Sequence, residues 1–313
     1  MSYDKEKRMI DLHLHLDGSL SPEFVLSEYK AQGIELPCPE KDFGKLLKSK
    51  GVKSLNEYLK AFEYPLTVLQ TESALSSAYE SLLNNLDKCG LAYVEIRFAP
   101  QLHTRKGLSQ QDVVEAVLKA RAKSDCFVEN NVILCCMRGD DNDKENTETV
   151  ELCKAYNGQG VVGVDLAGAE ALFPTSKYGE LFKRANKYGI PITIHAGEAA
   201  GSESVKAALD MGARRIGHGV RIANDTELLK RIAKERIGIE MCLTSNLDTH
   251  AINGIDEFPI IKYLDLGILA SVNTDDMTVS DTTIDKEFER LKPIGVTDSV
   301  KRKLISNAFE TRF

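Results

Sequence analysis

Short apolar runs of strand length alternate with amphipathic helical runs along most of this chain. Eight strand-like runs occur at Met9–His15, at Leu91–Phe98, and at residues 131–137, 161–166, 190–195, 214–218, 237–242 and 268–273. The runs between them show helical periodicity, and several begin with Ser, Asn or Asp, which favour a helix N-cap. Strands joined by helical crossovers predict an α/β protein with a parallel sheet, and eight such strands close a (β/α)8 TIM barrel.

The connection after the first predicted strand is much longer than the other connections between strands. Residues 17–90 are too long for one crossover helix and contain several helical patterns. A long insertion after the carboxyl end of a barrel strand lies above the active-site face, so we expect a helical cover over a pocket there. Its apolar wall would include four residues: Tyr58, Leu59, Phe62 and Leu66. The equally weighted alternative is that these residues belong to an ordinary amphipathic helix. Because neither a repeat nor a linker divides the chain, we expect one domain over residues 1–313.

Composition narrows the class of protein and its partners. With 313 residues, 42% of them hydrophobic, the chain can bury a large core. Its net charge of -7 argues against nucleic acid or an anionic membrane as the main partner. Its apolar runs are far shorter than the ~20 residues of a membrane helix, and the start MSYDKEKRMI lacks a signal-peptide core. The seven cysteines lack paired ligand spacing, so we interpret them as buried thiols in a reducing cytoplasm.

Metal-binding residue types stand where predicted strands end. His13 and His15 end the first strand, His195 ends the run 190–195, and Asp275 follows the last strand. Residues two apart on a strand face the same way, so both N-terminal imidazoles can reach one ion at the barrel mouth. Three imidazoles and one carboxylate suit Zn²⁺, although H-x-H alone would be weak evidence. The segment VGVDLAGAE has no Lys that could bridge two metals, so we expect a single ion.

Three further groups near these strand ends suit proton transfer or substrate binding. Glu198 can donate a proton to a ring nitrogen, or it can merely orient a nearby His. His218, between two glycines, can take a proton from water, or it can be a satisfied core residue. Asp276 can hydrogen-bond substrate, or it can cap a helix. His103 and His250 have no comparable partner nearby, and we expect them to be surface or structural residues.

Taken together, these segments resemble the adenosine deaminase family. The matching segments are HLHLDGSL, VEIRFAPQ, VDLAGAE, TIHAGE, IGHG, TSN and NTDD, in family order over nearly the whole chain. The resemblance implies a (β/α)8 barrel with one zinc that hydrolyses the 6-amino group of adenosine, giving inosine and ammonia. It also implies a cytoplasmic enzyme of purine salvage whose partner is a small purine nucleoside.

The resemblance further implies a role for each matching residue. The zinc ligands would be His13, His15, His195 and Asp275. Glu198 would protonate N1 of the purine, and His218 would orient or deprotonate the attacking water. The substrate-binding residues would be His15, Asp17 at a ribose hydroxyl, Gly168 at N3 through its backbone N–H, and Asp276 at N7.

Two residues of this chain depart from the family pattern. Ala169 stands where relatives often carry an acid, so we expect the active site to be supported differently at this position, and Leu243 stands where Pro is frequent.

Two rival functions are alternatives to this interpretation. One rival is a sibling deaminase acting on adenine or a modified adenine nucleoside or nucleotide. The other is a catalytically silent barrel that binds nucleosides. Adenine-specific relatives tend to have Glu where this chain has Asp17, which favours a nucleoside. The sequence leaves the oligomeric state open.

Overall fold

Eight parallel strands follow one another in chain order in the computed structural model, which describes residues 9–313. The strands are β1 Met9–His15, β2 Leu91–Phe98, β3 Glu129–Met137, β4 Val161–Ala167, β5 Thr193–Ala196, β6 Arg215–His218, β7 Gly238–Met241 and β8 Leu269–Val272. They pair as β1 to β4 and as β5 to β8. Bridges between Val164 and Ile192 and between Leu14 and Asp275 join the two halves. The predicted (β/α)8 barrel is confirmed.

Within residues 9–313, fourteen α-helices surround or extend this barrel. They are α1 Pro22–Ala31, α2 Glu40–Leu46, α3 Leu55–Tyr58, α4 Glu63–Val68, α5 Glu72–Lys88, α6 Gln110–Lys123, α7 Asp143–Tyr156, α8 Gly179–Lys187, α9 Ser202–Asp210, α10 Thr226–Glu235, α11 Leu243–Asp248, α12 Ile260–Asp265, α13 Ile284–Leu291 and α14 Asp298–Thr311. Polar residues cap several of them, as where Asp225 accepts a hydrogen bond from the Leu228 N–H at 3.0 Å. The last helix packs against β8 and β1, where the ring closes.

The observed strands match the predicted runs to within a few residues. The largest difference is at β5, whose hydrogen-bonded ladder begins at Thr193 rather than at residue 190. Pro191 explains the late start because its nitrogen has no hydrogen to donate to a neighbouring strand. Its carbonyl still accepts a hydrogen bond from the Val164 N–H at 3.0 Å, so β4 and β5 stay adjacent.

The long connection 17–90 contains two different kinds of structure. Its last helix, α5, packs against β2 and α6 and is therefore the outer helix between the first two strands. Helices α1 to α4 precede it as additional elements between β1 and α5. The material added to a simple barrel thus lies before α5 and is shorter than the whole connection.

The structure bears on two expectations drawn from composition, the state of the cysteines and the length of the apolar segments. All seven cysteines lie within the described residues and are free thiols, four of them buried. Among residues 9–313, each helix is too short or too polar to cross a membrane.

Candidate active site

Four metal-type donors meet at the carboxyl ends of the strands. Their ligand atoms, from His13, His15, His195 and Asp275, all lie within 4.8 Å of one another. The Nε2 atom of His195 is 3.0 Å from that of His13 and 3.2 Å from that of His15. Asp275 Oδ1 lies 3.2 Å from His13 Nε2 and 3.3 Å from His15 Nε2. The structure therefore brings together all four residues that the sequence predicted as metal ligands.

The backbone of Asp275 is fixed against the first strand. Its N–H donates to the His13 carbonyl at 2.8 Å, and its carbonyl accepts from the His15 N–H at 2.8 Å. Its φ of 62° lies in the left-handed region, which non-glycine residues rarely adopt. These two hydrogen bonds hold an uncommon conformation that turns the carboxylate towards the imidazoles.

Buried carboxylates decide which ring nitrogens face the cluster. His13 Nδ1 lies 2.8 Å from Glu240 Oε2, and His195 Nδ1 lies 2.9 Å from Asp165 Oδ2. An ionised carboxylate only accepts hydrogen bonds, so each Nδ1 carries the proton and each Nε2 carries a lone pair. Two lone pairs facing each other at 3.0 Å repel unless a cation lies between them. The donor set therefore fits a divalent metal, and its imidazole and carboxylate chemistry suits Zn²⁺.

Two buried arginines keep these supporting carboxylates charged. Arg97 donates to Asp165 at 3.0 Å and to Glu240 at 2.8 Å. Arg215 donates to the other Glu240 oxygen at 2.5 Å. Burial by itself raises the pKa of Glu240, but Arg97 and Arg215 outweigh it and hold this pKa well below its usual range. The barrel interior therefore supplies anionic partners for the metal-facing histidines.

Glu198 and His218 lie beside the donor cluster. Glu198 Oε2 is 3.6 Å from His218 Nε2, which is itself 3.9 Å from Asp275 Oδ2. Gly217, the residue before His218, leaves room for the His13 ring, since a Cβ there would lie 2.9 Å from His13 Cε1. An Asn246 amide atom lies 3.0 Å from His218 Nδ1 and so directs the other ring nitrogen into the cavity. One acid and one base candidate thus face the same space as the metal donors.

Two carboxylates in the site have a buried oxygen without a hydrogen-bond partner among the described residues. Asp17 Oδ1 and Asp276 Oδ1 are buried and have no hydrogen-bond partner among residues 9–313. Burial raises the pKa of Asp17 to about 6. Burial and the neighbouring Asp275 raise the pKa of Asp276 well above its ordinary value. Because buried polar atoms are normally paired, both oxygens are candidates for contact with a polar ligand.

One cavity contains these groups and the insertion forms part of its wall. It encloses about 920 Å³, including its open mouth, a size typical of small-molecule sites. The four residues expected to form an apolar wall all line it, together with Gly168, whose φ is 100°. The Tyr58 hydroxyl also donates to Asp276 Oδ2 at 2.8 Å, which ties the insertion to the site.

Comparison with known proteins assigns the family. The model of the adenosine deaminase family matches residues 9–313. The chain belongs to the adenosine deaminase family. It is 45% identical to an adenosine deaminase of Haemophilus ducreyi, over 97% of this chain and 91% of that protein. An adenosine deaminase of Clostridium acetobutylicum is 40% identical, over 96% of this chain and 93% of its own.

Solved structures agree with this fold. The crystal structure of an adenine deaminase from Arthrobacter aurescens matches with a TM-score of 0.90 and 28% identity, covering 98% of this chain and 94% of that one. An N6-mAMP deaminase from Arabidopsis matches with a TM-score of 0.87 and 24% identity, covering 99% and 95%. The second likeness concerns the fold alone.

The structure corrects one expectation about this deaminase-family site. Because Ala169 lacks the acid that relatives often carry there, we expected the support of the active site to be altered. The next residue, Glu170, supplies an acid instead. Its carboxylate accepts backbone N–H groups of residues 197–200 at 2.6–3.1 Å and the Ser204 hydroxyl at 2.5 Å. The loop that carries Glu198 is therefore anchored despite Ala169.

The sequence-based prediction assigned no role to several supporting residues. They are Asp165, Glu170, Glu240, Asn246 and Thr249, whose hydroxyl donates to Glu198 Oε1 at 3.0 Å. For Glu240 and Asp165 the signal is a charged residue inside an otherwise apolar strand, as in IGIEMC and VGVDLAG.

The two remaining histidines differ from each other. His103 is fully buried with Nδ1 2.9 Å from the Leu69 carbonyl, so it is structural rather than on the surface. His250 is exposed, and its Nε2 lies 3.0 Å from the Val52 carbonyl.

Proposed function

We propose that this protein hydrolyses adenosine to inosine and ammonia, and 2′-deoxyadenosine to 2′-deoxyinosine and ammonia, in cytoplasmic purine salvage. The observation that carries the proposal is the convergence of four metal donors beside one cavity, which three of them line together with Glu198 and His218. The curated relatives are named adenosine deaminase, which supports the same activity. The free thiols support a reducing compartment.

The proposed cofactor is one Zn²⁺ per chain. His13, His15, His195 and Asp275 would hold it, because their lone pairs and carboxylate meet in one place. When bound, zinc makes water acidic enough to supply a nucleophile at neutral pH.

The protein's own groups then move the protons. His218 orients the attacking water beside C6, takes its proton and returns it to the amino group, which leaves as ammonia. Glu198 gives a proton to N1, so the ring accepts electrons as C6 becomes tetrahedral. As ammonia leaves, the hydroxyl group on C6 gives its proton to the Glu198 carboxylate, so the C6 carbonyl forms and the acid is restored. The 3.6 Å separation between Glu198 Oε2 and His218 Nε2 leaves both groups within reach of adjacent atoms of one purine ring.

The proposed binding contacts use the unpaired polar atoms of the cavity. Asp17 accepts a hydrogen bond from a ribose hydroxyl, Asp276 contacts N7, and the Gly168 N–H contacts N3. His15 lies at the border between the metal donors and the substrate. We further propose a single domain over residues 1–313, in which the connection 17–90 provides the cover of the site.

The alternative is an adenine-specific deaminase, favoured by the structural match to the Arthrobacter aurescens enzyme. Asp17 discriminates between the two. A buried carboxylate placed for a ribose hydroxyl is left unpaired by free adenine, which costs roughly 1–3 kcal/mol. A 5′-phosphate would add like charge near an acidic site, so AMP would also be a poor substrate.

A substrate screen tests the proposal. The zinc-loaded protein is incubated with adenosine, 2′-deoxyadenosine, adenine and AMP, and ammonia release and the purine product are measured. We expect the two nucleosides to dominate, and Asp17→Ala to lower kcat/KM for adenosine far more than for adenine. Preference for adenine would establish the alternative. Ammonia release from none of the four would identify a silent barrel, and equal Asp17→Ala losses would refute the ribose contact.

A further inference from the structure

The carboxyl group of Glu198 is held by a single side-chain hydrogen bond. The Thr249 hydroxyl donates to Glu198 Oε1 at 3.0 Å, and both residues are buried. Within residues 9–313 this is the one hydrogen bond made by that carboxyl group. Oε2 is directed towards His218, 3.6 Å from its Nε2. The two oxygens therefore have different surroundings, one paired with a donor and one facing the reaction space.

The backbone of Glu198 does not depend on Thr249. Its N–H donates to Glu170 Oε2 at 3.1 Å, and its carbonyl accepts from Arg221 Nε. These contacts fix the main chain of the loop but leave the side chain free to rotate. Among the residues that the structure describes, Thr249 alone restrains that rotation by a hydrogen bond, so loss of its hydroxyl would release the carboxyl group without releasing the loop.

Thr249 comes from the same short segment that holds His218. It follows the last residue of α11 and is anchored by its N–H to the Ser245 carbonyl at 2.8 Å. Asn246, three residues earlier, contacts His218 Nδ1 at 3.0 Å. Residues three apart on a helical turn share one face, so this turn can fix the position of Glu198 relative to His218.

We propose that Thr249 is a positioning residue for the acid, a proposal that rests on the adenosine deaminase function above. Its hydroxyl keeps Glu198 Oε1 as an acceptor, so the proton of the protonated carboxyl resides on Oε2. From Oε2 the proton passes to purine N1, which forms the N1–H bond and leaves Glu198 as the carboxylate. Without the hydroxyl, either oxygen can carry the proton and the carboxyl group can turn away from N1.

The test compares Thr249→Val, Thr249→Ala and Thr249→Ser as zinc-loaded proteins. Val and Ala lack the hydroxyl, and Ser restores it. We expect Val and Ala to lower kcat for adenosine roughly tenfold with little change in KM, and Ser to stay within a few-fold of wild type. Zinc content should stay at the wild-type level in all three.

A matched control separates positioning from stability. Thr149 on α7 is also buried and donates to Gln110 Oε1 at 2.7 Å, away from the cavity. Thr149→Val should lower Tm but leave kcat unchanged. If Thr249→Val and Thr149→Val lower Tm alike and neither changes kcat, the role of Thr249 is structural and the proposal is wrong.

Two further measurements link the effect to Glu198. In a Glu198→Gln background, Thr249→Val should cause no additional loss of kcat, because Gln has no carboxylic proton to place. Binding of 1-deazaadenosine, which has carbon in place of N1, should be the same in wild type and Thr249→Val. An additive loss in the double variant, or weakened binding of the analogue, would overturn the proposal. If wild-type protein fails to deaminate adenosine, the proposed function fails; an active wild type with an unaffected Thr249→Val defeats only the role of Thr249.

Discussion

At the scale of single residues, two of the histidines that face the metal site each have a buried carboxylate partner. Glu240 accepts a hydrogen bond from His13 Nδ1–H, and Asp165 accepts one from His195 Nδ1–H. Such partners fix the tautomer and the ring orientation, and in metal sites their loss typically costs about 10–100-fold in affinity or activity. The reactivity of a residue here therefore depends on groups that never touch substrate.

The first prediction concerns the acid itself. Glu198→Gln should keep its metal and its fold but lose about 10²–10⁴-fold in kcat, because an amide cannot donate the proton that a carboxylic acid gives to N1. Steady-state kinetics, zinc analysis and a melting curve on one preparation measure the three properties. A kcat within a few-fold of wild type would contradict the acid role.

The second prediction uses a histidine outside the active site. Burial lowers the pKa of His103 from its ordinary value of 6.5 to about 4. The folded state therefore keeps His103 neutral while the unfolded chain protonates it. Its contribution to stability is full above pH 6.5 and is lost as pH falls from 6.5 towards 4.

His103→Gln isolates this contribution, since its amide N–H can still donate to the Leu69 carbonyl. Between pH 7 and about 4 the free energy of unfolding of wild type should fall by roughly 3 kcal/mol more than that of the variant. Denaturant titrations at several pH values measure the difference. Parallel pH profiles would show that His103 does not titrate in this range.

At the scale of secondary-structure elements, the sequence predicts where the strands end far better than it predicts which residues of different strands come into contact. The strand ends were predictable because apolar runs stop at His15, His195, His218 and Asp275, and parallel strands place their carboxyl ends on one face. The pair His13 and Glu240 was not, because 227 residues separate them and only the order and register of strands around the barrel bring them together. The support supplied by Glu170 was missed for a similar reason, since its four backbone donors belong to another strand's loop.

A third prediction tests that loop anchor. Burial by itself raises the pKa of Glu170, but hydrogen bonds from Ser204 and from backbone N–H groups outweigh it and hold this pKa below its ordinary value. Glu170 is therefore an anion that binds the loop 197–200. Glu170→Gln replaces charge-assisted acceptors by one neutral oxygen and should destabilise the fold by about 2–4 kcal/mol.

Because Glu198 lies in this loop, kcat of Glu170→Gln should fall as well, by roughly tenfold. Ser204→Ala is the matched control, since it removes one donor to the same carboxylate and leaves the backbone contacts. Its losses in Tm and kcat should be clearly smaller. Equal effects in both variants would mean that the backbone contacts contribute little.

At the scale of the whole molecule, the proposed metal connects the two halves of the barrel. His13 and His15 come from β1 in the first four-stranded sheet, whereas His195 and Asp275 come from β5 and from the turn after β8 in the second half. The backbone ladders of the two halves meet through isolated bridges at Leu14 and Val164, and the buried Arg97–Glu240 ion pair and α14 also join the halves. An ion bound by both halves exists only in the folded state, so its binding free energy adds to the stability of the closed ring.

The last prediction follows from this linkage. Removal of the metal by a chelator should lower Tm, and stoichiometric zinc should restore it. A ligand present at 1,000 times its Kd stabilises the folded state by about 4 kcal/mol, which for a chain of this length corresponds to roughly 5 °C in Tm. The effect should shrink in acid, because the imidazole ligands must lose their protons to bind the ion. Calorimetry of His15→Ala should show no response to zinc, whereas His103→Gln, which alters a histidine outside the cluster, should keep the full response. A wild-type Tm that is identical with and without zinc, or a His15→Ala variant that still responds, would show that these four residues do not hold a metal across the two halves.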